Sequence, residues 1–137
     1  MRELRIGSQN FTKVIATDEP GHGGACHEYS IKFLKNIEDQ IQKGVSDPGK
    51  ISFQNGPIKE FGVNGCHHED LLAIVLDRLE HFQKGEWRCR ENAIAITKIE
   101  EAMQWLNHRT QVRIKRGLRG QTKNNGNNKQ RKHAGLL

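Results

Sequence analysis

Between Cys66 and Gly120 the apolar residues of this chain return every three to four positions in two runs separated by a very short tip, which constrains the fold to an antiparallel helical hairpin. In the first run Leu71, Val75, Arg78/Leu79 and Phe82 fall on one stripe, with Leu72 and Leu76 beside it. The spacing predicts a helix from Glu69 to about Lys84, facing the core and stopped by Gly85. The second run starts near Arg88 to Arg90 and is expected to end at Gly117, a natural C-terminal stop. At ~100° per residue, Asn92, Ile96, Ile99, Met103, Leu106 and Thr110 share one face, and Arg109, Arg113 and Arg116 form a row beside that seam. The tip holds Phe82, Trp87, Arg88, Arg90, Glu91 and Asn92.

Before Asn64-Gly65 the pattern is that of short strands. Phe11, Val14 and Ile15 lie in a strand closed by Asp18-Glu19-Pro20-Gly21, and Gly21 to Gly24 makes a glycine-rich loop. Tyr29, Ile31 and Phe33 alternate with Ser30 and Lys32, as in a half-buried strand. Leu34 to Gly44 fits either a short helix, with Ile37 and Ile41 one turn apart, or an inserted loop, and Asp47-Pro48-Gly49 then turns the chain. Ile51 and Phe53, then Ile58, Phe61 and Val63, flank Asn55-Gly56-Pro57 and predict a hairpin. The expected fold is α+β: one domain over residues 1–120, with a small antiparallel sheet in 1–65 and the helical hairpin in 66–120. A disordered basic tail is expected over 121–137, where almost nothing apolar is available to offset ordering entropy.

Charge narrows the partner class. The net +6 is uneven, because no Asp or Glu follows Glu101 and nine cations lie from Arg109 onward, which leaves residues 1–108 at −3. The excess marks a local anion site or a basic arm rather than a nucleic-acid-binding surface. No apolar run approaches a membrane span, and Met1 to Ile6 is charged rather than a signal sequence, so the chain reads as soluble and intracellular. Cys26, Cys66 and Cys89 are odd in number and widely spaced, which argues for free thiols over a disulfide framework.

Asn92 on an apolar seam is the sharpest oddity, since an amide buried without partners costs on the order of 1 to 3 kcal/mol. It either bridges the hairpin turn or faces a cavity and reads a ligand's polar edge. Phe82 is either core or a stacking surface for a base. Arg109, Arg113 and Arg116 are either a solvated face, helped by the helix dipole, or a one-sign row for phosphate. Asn92 and Arg109 lie 17 residues apart on one helix, about 25 Å at 1.5 Å per residue. A nucleotide-sized ligand cannot touch both on one chain. If both serve one site, a second chain packed antiparallel supplies the arginines, and a C2 dimer with two composite pockets satisfies the geometry. Cys26-His27 and Cys66-His67-His68 lack a repeating metal-ligand spacing, and Gly21-His22-Gly23-Gly24 lacks the end of a P-loop, although His22 can line a pocket. No catalytic set, metal site or cofactor is expected.

Several runs resemble a phage protein family, the Thoeris anti-defence sponges of the first-described type, which share a helical hairpin domain with an anti-CBASS sponge family. The likeness rests on Ile51 to Glu60, Gly62 to Gly65, Glu69 to Leu79, Phe82-Gln83, Cys89 to Ala93, Thr97 to Ala102, Trp105-Leu106, Arg109-Thr110, Arg113 and Arg116-Gly117. It covers about half of the chain closely and the N-terminal sheet more loosely; the segment Leu34 to Gly49 is longer than the resemblance leads one to expect. The resemblance implies a non-enzymatic protein in the cytoplasm of the infected bacterial host. Such a protein sequesters glycocyclic ADP-ribose (gcADPR), the signal of Thoeris TIR enzymes, and keeps the NADase effector silent. It further implies a homodimer with composite pockets, some members forming hexamers, and separate sites for the cyclic di- and trinucleotides of CBASS systems. Carried onto this chain, the pocket uses Phe82 against adenine, Asn92 at the polar edge, and Arg109, Arg113 and Arg116 on the phosphates, with Arg88, Arg90 and Lys84 as further candidates. Two readings from other classes compete: an enzyme degrading such nucleotides, and a small nucleic-acid-binding module using the C-terminal arginine helix.

Overall fold

The computed structural model describes residues 1–6 and 10–123. The fold is α+β, with a four-stranded antiparallel sheet followed by helices, and it divides into a sheet unit, Met1–Cys66, and a helical unit starting at His67. The sheet is a meander of β1 (Arg2–Glu3), β2 (Thr12–Ala16), β3 (Glu28–Phe33) and β4 (Gly49–Ser52), in that spatial order. Its register sets Val14 opposite Ile31 and Tyr29 opposite Ile51. Tyr29, Ile31 and Phe33 are half-buried, as their alternation predicts, while Ser30 between them is buried.

The ambiguous segment after β3 folds back as a 3₁₀ turn, Lys35–Gln40, whose Ile37 is buried. Asp47 Oδ1 then accepts the Phe33 N–H at 3.0 Å and ties the long loop to the end of β3.

The predicted hairpin around Asn55-Gly56-Pro57 does not form. Instead of a second strand, Ile58–Phe61 is a one-turn helix, α1, that begins after Pro57. Side-chain amides replace the ladder. Gln54 Nε2 donates to the carbonyls of Gly56 and Gly62 (3.1 and 2.9 Å), and its Oε1 accepts the Asn64 N–H (2.9 Å). Asn64 bonds both backbone groups of Asn55 at 2.8 Å. The chain rejoins β4 through a parallel bridge between Phe53 and Cys66. Gly56 is required here: its φ is +84°, and a Cβ would lie 2.5 Å from the Phe61 ring.

Asp18 anchors the start of β3. Its carboxylate accepts the His27 N–H at 2.9 Å and the Glu28 N–H at 3.1 Å. The His27 hydrogen bond, aided by that of Glu28, holds its pKa below the ordinary 3.8 against the opposing effect of burial. A depressed carboxyl pKa contributes stability above the unfolded-state value, and that stability is lost as pH falls through the folded-state value. Denaturant midpoints measured from about pH 5 down to about pH 3 should therefore fall in the natural chain and fall less steeply in Asp18→Asn, which has no carboxylate to protonate.

In the helical unit, α2 spans His68–Gln83 and α3 spans Arg90–Lys123. Asp70 Oδ2 accepts the His67 N–H at 2.8 Å, and Glu69 and Asp70 place negative charge on the first turn of α2. Of the predicted stripe of α2, Leu71, Leu79 and Phe82 are half-buried, as are Leu72 and Leu76 beside it, while Val75 and Arg78 are exposed. The α3 seam follows expectation, with Asn92, Ile96, Ile99, Met103, Leu106 and Thr110 all half-buried. Gly117 does not end this helix. It keeps a negative φ, and without the left-handed turn of a Schellman cap a glycine costs only about 1 kcal/mol inside a helix. The tail expected over 121–137 thus begins as helical backbone, and the rest of it, from residue 124, lies outside the described residues.

Candidate functional site

The connection between α2 and α3 is pinned from both helices. At the end of α2, the Lys84 and Gly85 N–H groups donate to the His81 and Phe82 carbonyls at 3.2 Å. Gln83 Oε1 accepts the Cys89 N–H at 2.9 Å, and from the first turn of α3 Asn92 Nδ2 donates to the Trp87 carbonyl at 3.3 Å. The bridging role open to Asn92 in the sequence is therefore the one its Nδ2 performs. Its Oδ1 accepts no hydrogen bond among the described residues, so an acceptor remains at the half-buried tip.

Phe82 is half-buried and carries the Arg78 guanidinium 4.9 Å from its ring centroid. The Trp87 ring lies 5.6 Å from it at an interplanar angle of 59°. Lys84, Arg88 and Arg90 are exposed on or beside the same connection, so the fold gathers Phe82, Asn92 and these three cations at one end of the hairpin. It does not bring Arg109, Arg113 and Arg116 there. Those three are exposed along α3, where no described carboxylate lies within ion-pair distance of them. Because α3 is continuous, the separation of about 25 Å from Asn92 to Arg109 stands.

Trp87 and Arg78 are tip residues to which the sequence pattern assigns no role. Arg78 precedes Phe82 by four residues, the spacing that stacks side chains on one helix face, and that spacing is a signal present in the sequence. In the sheet unit, His22 does line a cleft, of about 570 Å³, with Gly21, Asn55, Phe61 and Asn64, and its ring lies 5.2 Å from that of Phe61. The cysteines are free thiols, Cys26 buried, Cys66 half-buried and Cys89 exposed.

The hairpin thus carries an aromatic and amide tip at one end and, along α3, an exposed arginine row that pairs with no described carboxylate. Residues 47–111 match the family model described as "Acb2/Tad1, hairpin domain". The match takes in β4, both helix seams, the whole tip and Arg109, and ends before Arg113 and Arg116. The chain is also 56% identical over 70 residues to a protein named Thoeris anti-defense 1 from Bacillus phage SBSphiJ7, an alignment covering 51% of this chain and 49% of that relative. The likeness thus spans about half the length of each. Among the described residues no helix is long and apolar enough to cross a membrane.

Proposed function

We propose that this protein is a phage anti-defence sponge that binds gcADPR in the cytoplasm of the infected host and withholds it, unchanged, from the Thoeris effector. The observation that carries the reading is that Phe82, Asn92 and Arg109 all fall inside the segment matched to the hairpin family. The name of the Bacillus phage relative supports the anti-defence role. The exposed arginine row suits the phosphates of such a signal, and the tip suits its base.

The pocket is composite in this reading. The tip of one protomer meets Arg109, Arg113 and Arg116 of its antiparallel partner, which bridges the separation of about 25 Å along α3. Apolar surface supports a partner chain: no residue of α2 is buried, and Ile74, Val75, Ile94 and Trp105 are exposed. Sequestration needs affinity and slow release rather than transition-state complementarity. Nanomolar capture corresponds to about 12 kcal/mol, within reach of one stacked base and several charge-assisted phosphate contacts in a preformed cleft.

Protein incubated with gcADPR, filtered free of excess and heat-denatured should release the intact ligand in stoichiometric amount by mass spectrometry. A cleaved product in the released fraction would overturn the sponge reading in favour of an enzyme.

A further inference from the structure

Trp87 is two-thirds exposed (67%), yet its backbone is fixed from both helices. Its carbonyl is held by Asn92 of α3, and the N–H of Cys89, two residues on, by Gln83 of α2. The Arg88 N–H adds a bond to the Gly85 carbonyl at 3.4 Å. A large indole is thus presented to solvent with most of its backbone entropy already lost, which is the arrangement of a binding wall.

The shape of that wall follows from the rings around it. A base cannot insert between Phe82 and Trp87, because a parallel sandwich needs centroids about 7 Å apart, twice a contact distance of ~3.5 Å. At 5.6 Å and 59° the two rings instead form an open corner. The Arg78 guanidinium occupies part of the Phe82 surface, 4.9 Å from the centroid, and leaves the indole as the freer face. A flat group stacked on one ring of such a corner presents its edge to the other, a favourable aromatic arrangement. The bicyclic indole offers more stacking area than a single ring, which favours a purine over a pyrimidine.

The geometry points to Trp87 as a specificity-determining wall of the nucleotide site, stacking on the purine base of the ligand while Phe82 meets that base at its edge. This inference rests on the sponge reading and deepens it. The competing role is structural, in which Trp87 only covers Phe82 and closes the turn.

The test uses the full chain, and because the sequence has two tryptophans the emission of Trp87 is obtained as the difference between the natural chain and Trp87→Phe. Titration with gcADPR is followed by calorimetry and by tryptophan emission together. The expected result is a change in Trp87 emission that tracks the heat of binding. In the otherwise natural chain, Trp87→Phe keeps a flat face and binds within several-fold of wild type, whereas Trp87→Leu covers Phe82 but cannot stack and binds on the order of tenfold or more weakly at an unchanged melting temperature. Heat of binding with flat emission, or wild-type affinity in Trp87→Leu, overturns the inference and leaves the sponge reading standing. A Trp87→Leu defect that appears with a lowered melting temperature and disappears on cooling also overturns it, in favour of the structural role. Absence of heat in the natural chain overturns both.

Discussion

Replacing Arg109 and Arg113 together with alanine is expected to weaken gcADPR capture by more than about a hundredfold, since each charge-assisted hydrogen bond to a phosphate is worth roughly 1.5–3 kcal/mol. Both side chains are exposed and pair with no described carboxylate, so their removal breaks no ion pair of the described chain. Stability should stay within about 0.5 kcal/mol of wild type, as for ordinary surface substitutions. Calorimetry for affinity and denaturant melts for stability separate the two effects. Arg109→Lys tests the chemistry more finely: it keeps the charge but not the planar fork, so a phosphate held bidentately is bound less well by the lysine variant. Equal affinity in the natural and doubly substituted chains would remove the arginine row from the site. Arg109 lies inside the family-matched segment and Arg113 beyond it, so comparing the single variants also shows whether the site extends past the matched hairpin.

Much of this architecture is legible in the sequence because it depends on local periodicity. The α2 helix, expected from Glu69 to about Lys84, occupies His68–Gln83, and the α3 seam has the predicted membership from Asn92 to Thr110. Helix spacing alone cannot place the α2 stripe. Val75 and Leu76 are both apolar neighbours, and only the folded chain shows that Leu76 is half-buried and Val75 exposed. Asn55-Gly56-Pro57 carries a turn signature that serves a strand hairpin and a one-turn helix equally well. What decides between them is the reach of Gln54 and Asn64 to backbone groups as far as ten residues away, which no local window contains.

The tip shows the same limit. Asn92 is conspicuous as an amide on an apolar seam, but its partner, the Trp87 carbonyl, is a backbone atom with no signature in residue type. Trp87 itself reads in sequence as one more aromatic near a turn, and only the fixed backbone around it distinguishes it. The residues of the arginine row, by contrast, are visible because one-sign charge at helical spacing is a property of sequence alone.

Whether two chains make each pocket is tested most directly by mixing. One variant, Asn92→Leu, disables the tip; the other, Arg109→Ala with Arg113→Ala, disables the row. Neither should capture gcADPR alone. Co-expressed in equal amounts and purified by two tags or as a statistical mixture, they pair at random into about one half mixed dimers, each with one pocket built from two intact halves and one from two disabled halves. The mixture should then capture about a quarter of the wild-type amount of gcADPR, and the doubly tagged fraction about half. Failure of the doubly tagged mixed dimer to capture any ligand, when each variant melts as a folded protein, would contradict a pocket shared between two chains.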